Sequence, residues 1–241
     1  MIQETVTYQC PHCASPNIVR NEHNAKGKQQ YRCRACGKRG VFNPRVPYTE
    51  AEKEQILNAY FERLSMRGVK RIFGVTRQTL ARWLKKNATL PRLVDTLVPA
   101  QPDDALEVDE VWSFVLKRAN KRWLWTALCR RTRQIVAFVI GDRSEATCRQ
   151  LWAQIPDAYK ACQSFSDFWD AYQWVFPKET HHRVGKAEGE TNHMERWNNT
   201  LRQWNARYVR KTLSFSKSEF YHDLVTRCFI IRYNLSKSFA I

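Results

Sequence analysis

No window of the chain approaches the roughly 18 consecutive apolar residues that a membrane-crossing helix needs. The opening stretch MIQETVTYQC also lacks the charged-then-apolar profile of a signal peptide. No membrane partner is expected, and the cytoplasm is the expected compartment. A Gly-rich phosphate loop is missing, which argues against a P-loop or dinucleotide site, and nothing supports a nucleophilic serine or a cysteine-histidine pair. Internal repeats and low-complexity segments are absent too. Acids are scarce: 23 Asp and Glu face 40 Lys and Arg, a net charge of +17. What is present is a globular composition, with 43% hydrophobic and 12% aromatic residues.

An excess of this size repels itself unless a polyanion neutralises it, so nucleic acid is the expected partner. Residues 1–100 hold 18 Lys and Arg against 7 acids, and residues 101–241 hold 22 against 16, so the front part is the more basic. That part also contains a regular cysteine pattern. Cys10, Cys13, Cys33 and Cys36 form two C-x2-C pairs with nineteen residues between them. Four thiolates on two tight turns complete a closed tetrahedral zinc shell, which gives so short a segment the core it otherwise lacks. His12 and His23 are bystanders on this reading. Cys129, Cys148, Cys162 and Cys228 stand alone in apolar company and read as small core residues.

After the Pro-punctuated NPRVP, Thr49 followed by Glu52 marks a helix start, with an apolar stripe at Ile56, Leu57, Tyr60, Phe61 and Leu64. SMRGVKRIFGVTRQTLARWLKK then reads as a helix with Val69, Ile72 and Phe73 inward, a Gly74-Val75 turn, and a second helix striped by Val75, Leu80, Trp83 and Leu84. That is the pattern of a helix-turn-helix, with Arg77, Gln78, Thr79 and Arg82 set to meet base edges and phosphates. The three prolines between residues 87 and 104 mark a boundary.

Beyond it the period changes to two. ALEVDEVWSFV, KRWLWTALCR and QIVAFVIGD read as an antiparallel meander, SEATCRQLWAQI as a helix capped by Ser144, KACQSFSDF as a fourth strand and HHRVGK as a weak fifth. A long helix follows, its buried stripe running Met194, Trp197, Leu201, Trp204 and Tyr208. This order is that of a ribonuclease H-like fold. The first strand poses a problem, because Glu107, Asp109 and Glu110 interrupt an otherwise apolar run. A carboxylate on a covered strand costs several kcal/mol by order of magnitude unless something compensates it. Asp109 on that strand, Asp167 at the end of a later one and Glu195 at the margin of the long helix are suited together to hold two Mg2+ ions, for which Mn2+ would substitute. Such a site activates a water or a 3′-hydroxyl for phosphoryl displacement. Asp170 remains open as an alternative to Asp167, Glu107 shares strand parity with Asp109, and His193 stands two positions before Glu195. Arg202, Arg207, Arg210, Lys211 and Lys217 would border the site and hold phosphates.

CPHC with YRCRACG, RIFGVTRQTLARWLK, LEVDEVWSFV, SDFWDAY and, above all, HMERWNNTLRQWNARYVRKTLSFSKS together resemble the transposases of the insertion-sequence 1 (IS1) family over essentially the whole chain. The resemblance implies an acidic-triad enzyme that nicks and joins element ends, with Asp109, Asp167 and Glu195 as its acids. Phe168 follows Asp167 where some relatives have Gly, and the chain is continuous where members of the family are often assembled from two coding segments. The expected architecture is multidomain α/β: a zinc ribbon over 1–46, a helix-turn-helix domain over 47–88, a linker over 89–104, and over 105–241 a ribonuclease H-like mixed-sheet catalytic domain with a basic C-terminal helical segment. Its expected partners are double-stranded DNA, both terminal inverted repeats and target, on the nucleoid, and a second copy of the chain, as a dimer or larger. Two rivals remain: a DNA-binding regulator with an inactive catalytic half, and a nuclease that does not join strands.

Overall fold

The computed structural model describes residues 8–25, 27–41, 48–86 and 91–238, and divides into two compact units, 1–52 and 53–241. The NPRVP segment and residues 87–90 lie outside the described residues.

The N-terminal unit holds a three-stranded antiparallel sheet of β1 (Ile18–His23), β2 (Gln29–Cys33) and β3 (Arg39–Gly40), with β2 in the middle. Its boundary with the second unit falls in the first turn of α1 (Glu50–Phe61). That turn is closed by a reciprocal cap, since the Thr49 N–H donates to Glu52 Oε2 at 2.7 Å and the Glu52 N–H to Thr49 Oγ1 at 3.2 Å.

In the second unit, α2 (Met66–Phe73) is capped by Ser65, whose hydroxyl accepts from the Gly68 N–H. It ends at Gly74, whose φ of 69° favours a residue without a Cβ. A three-residue turn leads to α3 (Arg77–Lys86). Val69, Val75, Leu80 and Leu84 are buried between these helices, but Ile72 is 63% exposed, so the inward position expected for it is wrong. On so short a helix the packed face is narrow, and Ile72 lies outside it.

Residues 91–104 lie against the sheet rather than spanning open space. Gln134, fully buried, accepts from the Val98 N–H at 2.8 Å and donates to the Thr96 carbonyl at 2.8 Å. Asp104, also buried, is held by Arg131 at 2.6 Å.

The centre of the unit is a five-stranded mixed sheet in the order β6-β5-β4-β7-β8. β4 (Ala105–Phe114), β5 (Lys121–Cys129) and β6 (Ile135–Gly141) form the antiparallel meander, while β7 (Gln163–Ser166) and β8 (His181–Arg183) run parallel to β4. Alternation along β4 sends Leu106 and Val108 into a core closed by α4 (Glu145–Gln154), α5 (Asp157–Lys160) and α6 (Asp170–Val175). Val111 joins a second core on the opposite face, against α7 (Asn192–Trp204) and α8 (Glu219–Ser238). Burial of large residues such as Trp125, Trp197, Leu128 and Leu151 stabilises the unit by about 2 kcal/mol each. The isolated Cys129, Cys148, Cys162 and Cys228 are all buried and form no disulfide.

Candidate active site and metal centre

β4 is the middle strand, so its three acids sit where water is scarce, and each has a different environment. Glu107, fully buried, accepts at Oε1 from Arg130 Nε at 2.9 Å and lies 2.6 Å from His193 Nδ1, while Oε2 accepts the Met194 N–H at 2.8 Å. It therefore anchors the first turn of α7. Glu110, on the other face, accepts from Arg143 Nε at 2.6 Å and from the Tyr172 hydroxyl at 2.7 Å. The Arg143 guanidinium is itself sandwiched, 4.8 Å from the Trp123 ring and 3.9 Å from the Trp169 ring. Burial raises the pKa of both glutamates, and their cationic partners oppose the rise.

Asp109 has no such cation. Half-buried, it accepts from Asn198 Nδ2 at 2.6 Å and from the Glu110 N–H at 2.8 Å, and among the described residues no Lys, Arg or His pairs with it. Its carboxyl is pushed up to about 7, first by the protein packed around it, then by the charge of Glu110, with Asp167 adding to the effect.

Asp167 directly follows β7 and is exposed, its Oδ1 accepting the Trp169 N–H at 3.0 Å. Its charge bears on both Asp109 and Glu110. Asp170 opens α6, is 84% exposed at its side chain and faces Arg183 at 3.8 Å. Glu195 stands exposed in the first turn of α7, one turn before Asn198. Arg202 lies two turns after Glu195; its pKa is lowered by burial and then by Arg210, while the charge of Asp109 opposes them. Asp167 thus acts on Asp109 through its charge, Glu195 is placed only by its position on α7, and the three acids are not gathered into one cluster. Among the described residues only the four N-terminal cysteines bring three or more ligand atoms within 4.8 Å of one another.

The basic residues fall into two places. Arg202 and Arg210 share a small recess with Trp112, Lys217 lines a larger cleft together with Arg77 and Gln78, and Arg207 borders both. Thr79 is half-buried, its hydroxyl 2.9 Å from that of Thr76, while Arg82, Arg210 and Lys211 are exposed. Trp204, expected in the buried stripe of α7, is 43% exposed. The helix ends there with Asn205 as its cap, so the helical period no longer applies, although Tyr208 beyond it returns to the same core.

Several residues of the site were not singled out by the sequence pattern. Asn198 had a signal, since it stands three positions after Glu195 and next to the buried Trp197. Arg143, Tyr172 and Trp169 had none, because their partners lie far away in the chain.

In the N-terminal unit the Cys10 and Cys36 sulfurs are 3.7 Å apart and those of Cys13 and Cys33 are 3.6 Å apart. The edge of a tetrahedron with 2.3 Å zinc–sulfur bonds is about 3.8 Å, so the donor set fits a structural zinc ion. The Cys10 thiol is lowered to about 7 by the His12 N–H, and that of Cys33 is lowered by the Cys36 N–H, so backbone donors favour the thiolate a metal needs. Neither His12 nor His23 belongs to the group.

A sequence family described as IS1 transposase matches residues 105–235, more than half of the chain. The chain belongs to the IS1 transposase family. A second family, described as InsA N-terminal domain, matches residues 4–37 and so includes all four cysteine ligands. The insertion element iso-IS1n protein InsB of Shigella dysenteriae is 39% identical over 124 residues, which is 52% of this chain and 92% of that protein. The insertion element IS1 protein InsB of Shigella flexneri is 39% identical over 119 residues, 49% of this chain and 88% of its own length. For the IS1 4 protein InsB of Escherichia coli K12 the figures are 37% over 119 residues, 49% and 69%. The IS1 transposase match begins at the first residue of β4 and takes in Asp109, Asp167, Glu195 and Asn198. Among the described residues no helix is long and apolar enough to cross a membrane.

Proposed function

We propose that this IS1-family transposase, working in the cytoplasm on the nucleoid and as at least a dimer, binds the terminal inverted repeats of an insertion sequence and carries out Mg2+-dependent strand cleavage and transfer. One observation supports this reading above others. Of three acids on the central strand, Glu107 and Glu110 are each matched by an arginine, and Asp109 is matched by none. A half-buried carboxylate without a cation, near a second carboxylate, is a place for a hard divalent ion, and an all-oxygen donor set of Asp109, Asp167 and Glu195 suits Mg2+. Mg2+ bound there supplies activation of the attacking hydroxyl and stabilisation of the leaving oxygen.

The chain's own groups position that set. Asn198 orients Asp109, Glu107 fixes the turn of α7 that bears Glu195, and Arg143 steadies Trp169 beside Asp167. Asp167 and Glu195, both exposed, keep the side-chain freedom to close on an ion seated at Asp109. Arg202 and Arg210 would hold the phosphates of the strand being cut. A sheet with an antiparallel half of three strands and two strands parallel to its centre supports the ribonuclease H-like assignment. On the same reading α2 and α3 act as a helix-turn-helix, with Arg77, Gln78 and Arg82 exposed among the expected base-side residues, and the zinc unit assists in finding the repeat.

The test is incubation of the full chain with end-bearing duplex and Mg2+, followed by mapping every broken and newly joined phosphodiester. Cuts at the repeat boundary with joined products are expected, and Asp109→Asn, Asp167→Asn and Glu195→Gln should each remove them while end binding persists. Cutting that survives in Asp109→Asn would refute the assignment. Cut ends without joining would reduce the protein to a nuclease, and binding without cutting would reduce it to a regulator.

A further inference from the structure

A cleft of about 730 Å³ opens between helices α1–α3 and the segment joining α7 to α8. Its wall includes Arg67, Arg71, Arg77, Arg207 and Lys217 and no carboxylate at all. Five cations around one cavity repel one another unless an anion enters. Arg207 is held by the Ser216 hydroxyl at 2.8 Å and the Tyr60 hydroxyl at 3.1 Å, yet its Nε is buried without an acceptor. Asn205, only 6% exposed, likewise has Nδ2 unmatched. Both atoms are closed off from the surface of the cleft, so the cations free to meet an anion there are Arg67, Arg71, Arg77 and Lys217, all exposed.

The same wall carries Trp204. Among the described residues no ring and no cation stacks on it, although it is 43% exposed. A flat aromatic surface left open beside unmatched cations is the combination that holds unpaired nucleotides, whose phosphates meet the charges and whose bases stack. An acidic peptide would answer the cations but not the indole, and an apolar helix would strand the arginines. The cavity is in the range that encloses a drug-sized ligand, about one or two nucleotides, and is too small for a double helix.

We propose that this cleft captures unpaired nucleotides of DNA, with backbone phosphate against the exposed Arg67, Arg71, Arg77 and Lys217 and a base against Trp204. The proposal deepens the transposase reading, on which it rests for DNA as the polyanion, by naming the strand form that the chain holds.

The test is a fluorescence-anisotropy titration of the full chain with a short labelled oligothymidylate and, separately, with a blunt duplex. Trp204→Ala should weaken oligothymidylate binding by about fivefold to a hundredfold, as loss of base stacking does, with duplex binding within about twofold of the parent. Trp204→Phe, which keeps a stacking face, should retain most of the affinity, and both variants should melt with the parent because the ring is exposed. An oligonucleotide bearing 5-iodouracil should cross-link on irradiation to the peptide containing Trp204 or Tyr221. Unchanged oligothymidylate affinity in Trp204→Ala, equal loss on both DNA forms, or cross-links confined to other peptides would overturn the proposal. Failure of the catalytic reading looks different: the cross-link at Trp204 would form while end-bearing duplex stayed uncut in Mg2+.

Discussion

Four thiols in the N-terminal unit stand within 4.8 Å of one another, whereas the carboxylates of Asp109, Asp167 and Glu195 do not. Both sets consist of groups that repel when ionised, and the difference lies in what holds them. The cysteines ride on two turns, and backbone N–H groups there favour the thiolates of Cys10 and Cys33 before any metal arrives. The acids come from a strand, the turn after another strand and a helix, and the one of them on the central strand, Asp109, gains only an asparagine and one backbone N–H. A closed structural site can be fully assembled by the fold. On the function proposed above, Asp167 and Glu195 stay exposed and the last step of assembly is left to metal and substrate binding.

The comparison can be broken first at the zinc end. Stripping zinc with a chelator, or Cys33→Ser, should unfold the N-terminal unit, since structural zinc contributes on the order of 10 kcal/mol in small domains. Limited proteolysis should then cleave between residues 8 and 41 and spare the second unit. Loss of the fold throughout would mean that the two units are not separable. At the other site, Asp109→Asn should cut strand cleavage by at least about 10³-fold, a loss expected when transition-state charge stabilisation goes. The same variant should not lower the unfolding midpoint at pH 8, because the carboxylate it removes is uncompensated in the metal-free fold.

Glu107→Ala, two residues away on the same strand, sharpens the contrast by reversing it. Removing one partner of a buried, hydrogen-bonded ion pair costs about 3–5 kcal/mol, so chemical denaturation should show a large drop in stability. A smaller effect is expected at His222, which is 1% exposed and packed against Ser113, Ser216 and Tyr208. Burial, with Arg207 and Arg122 adding to it, lowers its pKa from 6.5 to about 4. The folded protein therefore refuses a proton that the unfolded chain accepts. This contribution is fully present above pH 6.5 and declines as pH falls toward 4, by about 3 kcal/mol in all. Denaturant titrations over that range should show the slope, and His222→Gln should flatten it.

Much of this was legible from spacing. Cys10, Cys13, Cys33 and Cys36 announce a tetrahedral shell, and Thr49 with Glu52 and Ser144 with Thr147 announce helix starts that the backbone then uses. Alternation along ALEVDEVWSFV was enough to single out its acids. It was not enough to tell them apart, because the arginines that neutralise Glu107 and Glu110 come from positions 130 and 143, and the hydroxyl on Glu110 comes from Tyr172. Periodicity also carried Trp204, the last residue of α7, and Ile72 into cores that leave both side chains exposed. Local pattern reports which face of an element is apolar; it does not report where the neighbouring element stops.

Two cross-links tie α7 to β4: Glu107 to the Met194 N–H, and Asp109 to Asn198. Two residues of strand advance about 6.6 Å, and four residues of helix advance about 6 Å. The rungs are therefore nearly equal in length, and the helix climbs alongside the strand in the same direction at a matched pace. Neither element can slide by a single residue without breaking both ties. One residue inserted between Met194 and Glu195 would turn Glu195 about 100° around the helix axis relative to the tie at Met194, so this short ladder sets where Glu195 stands along the strand.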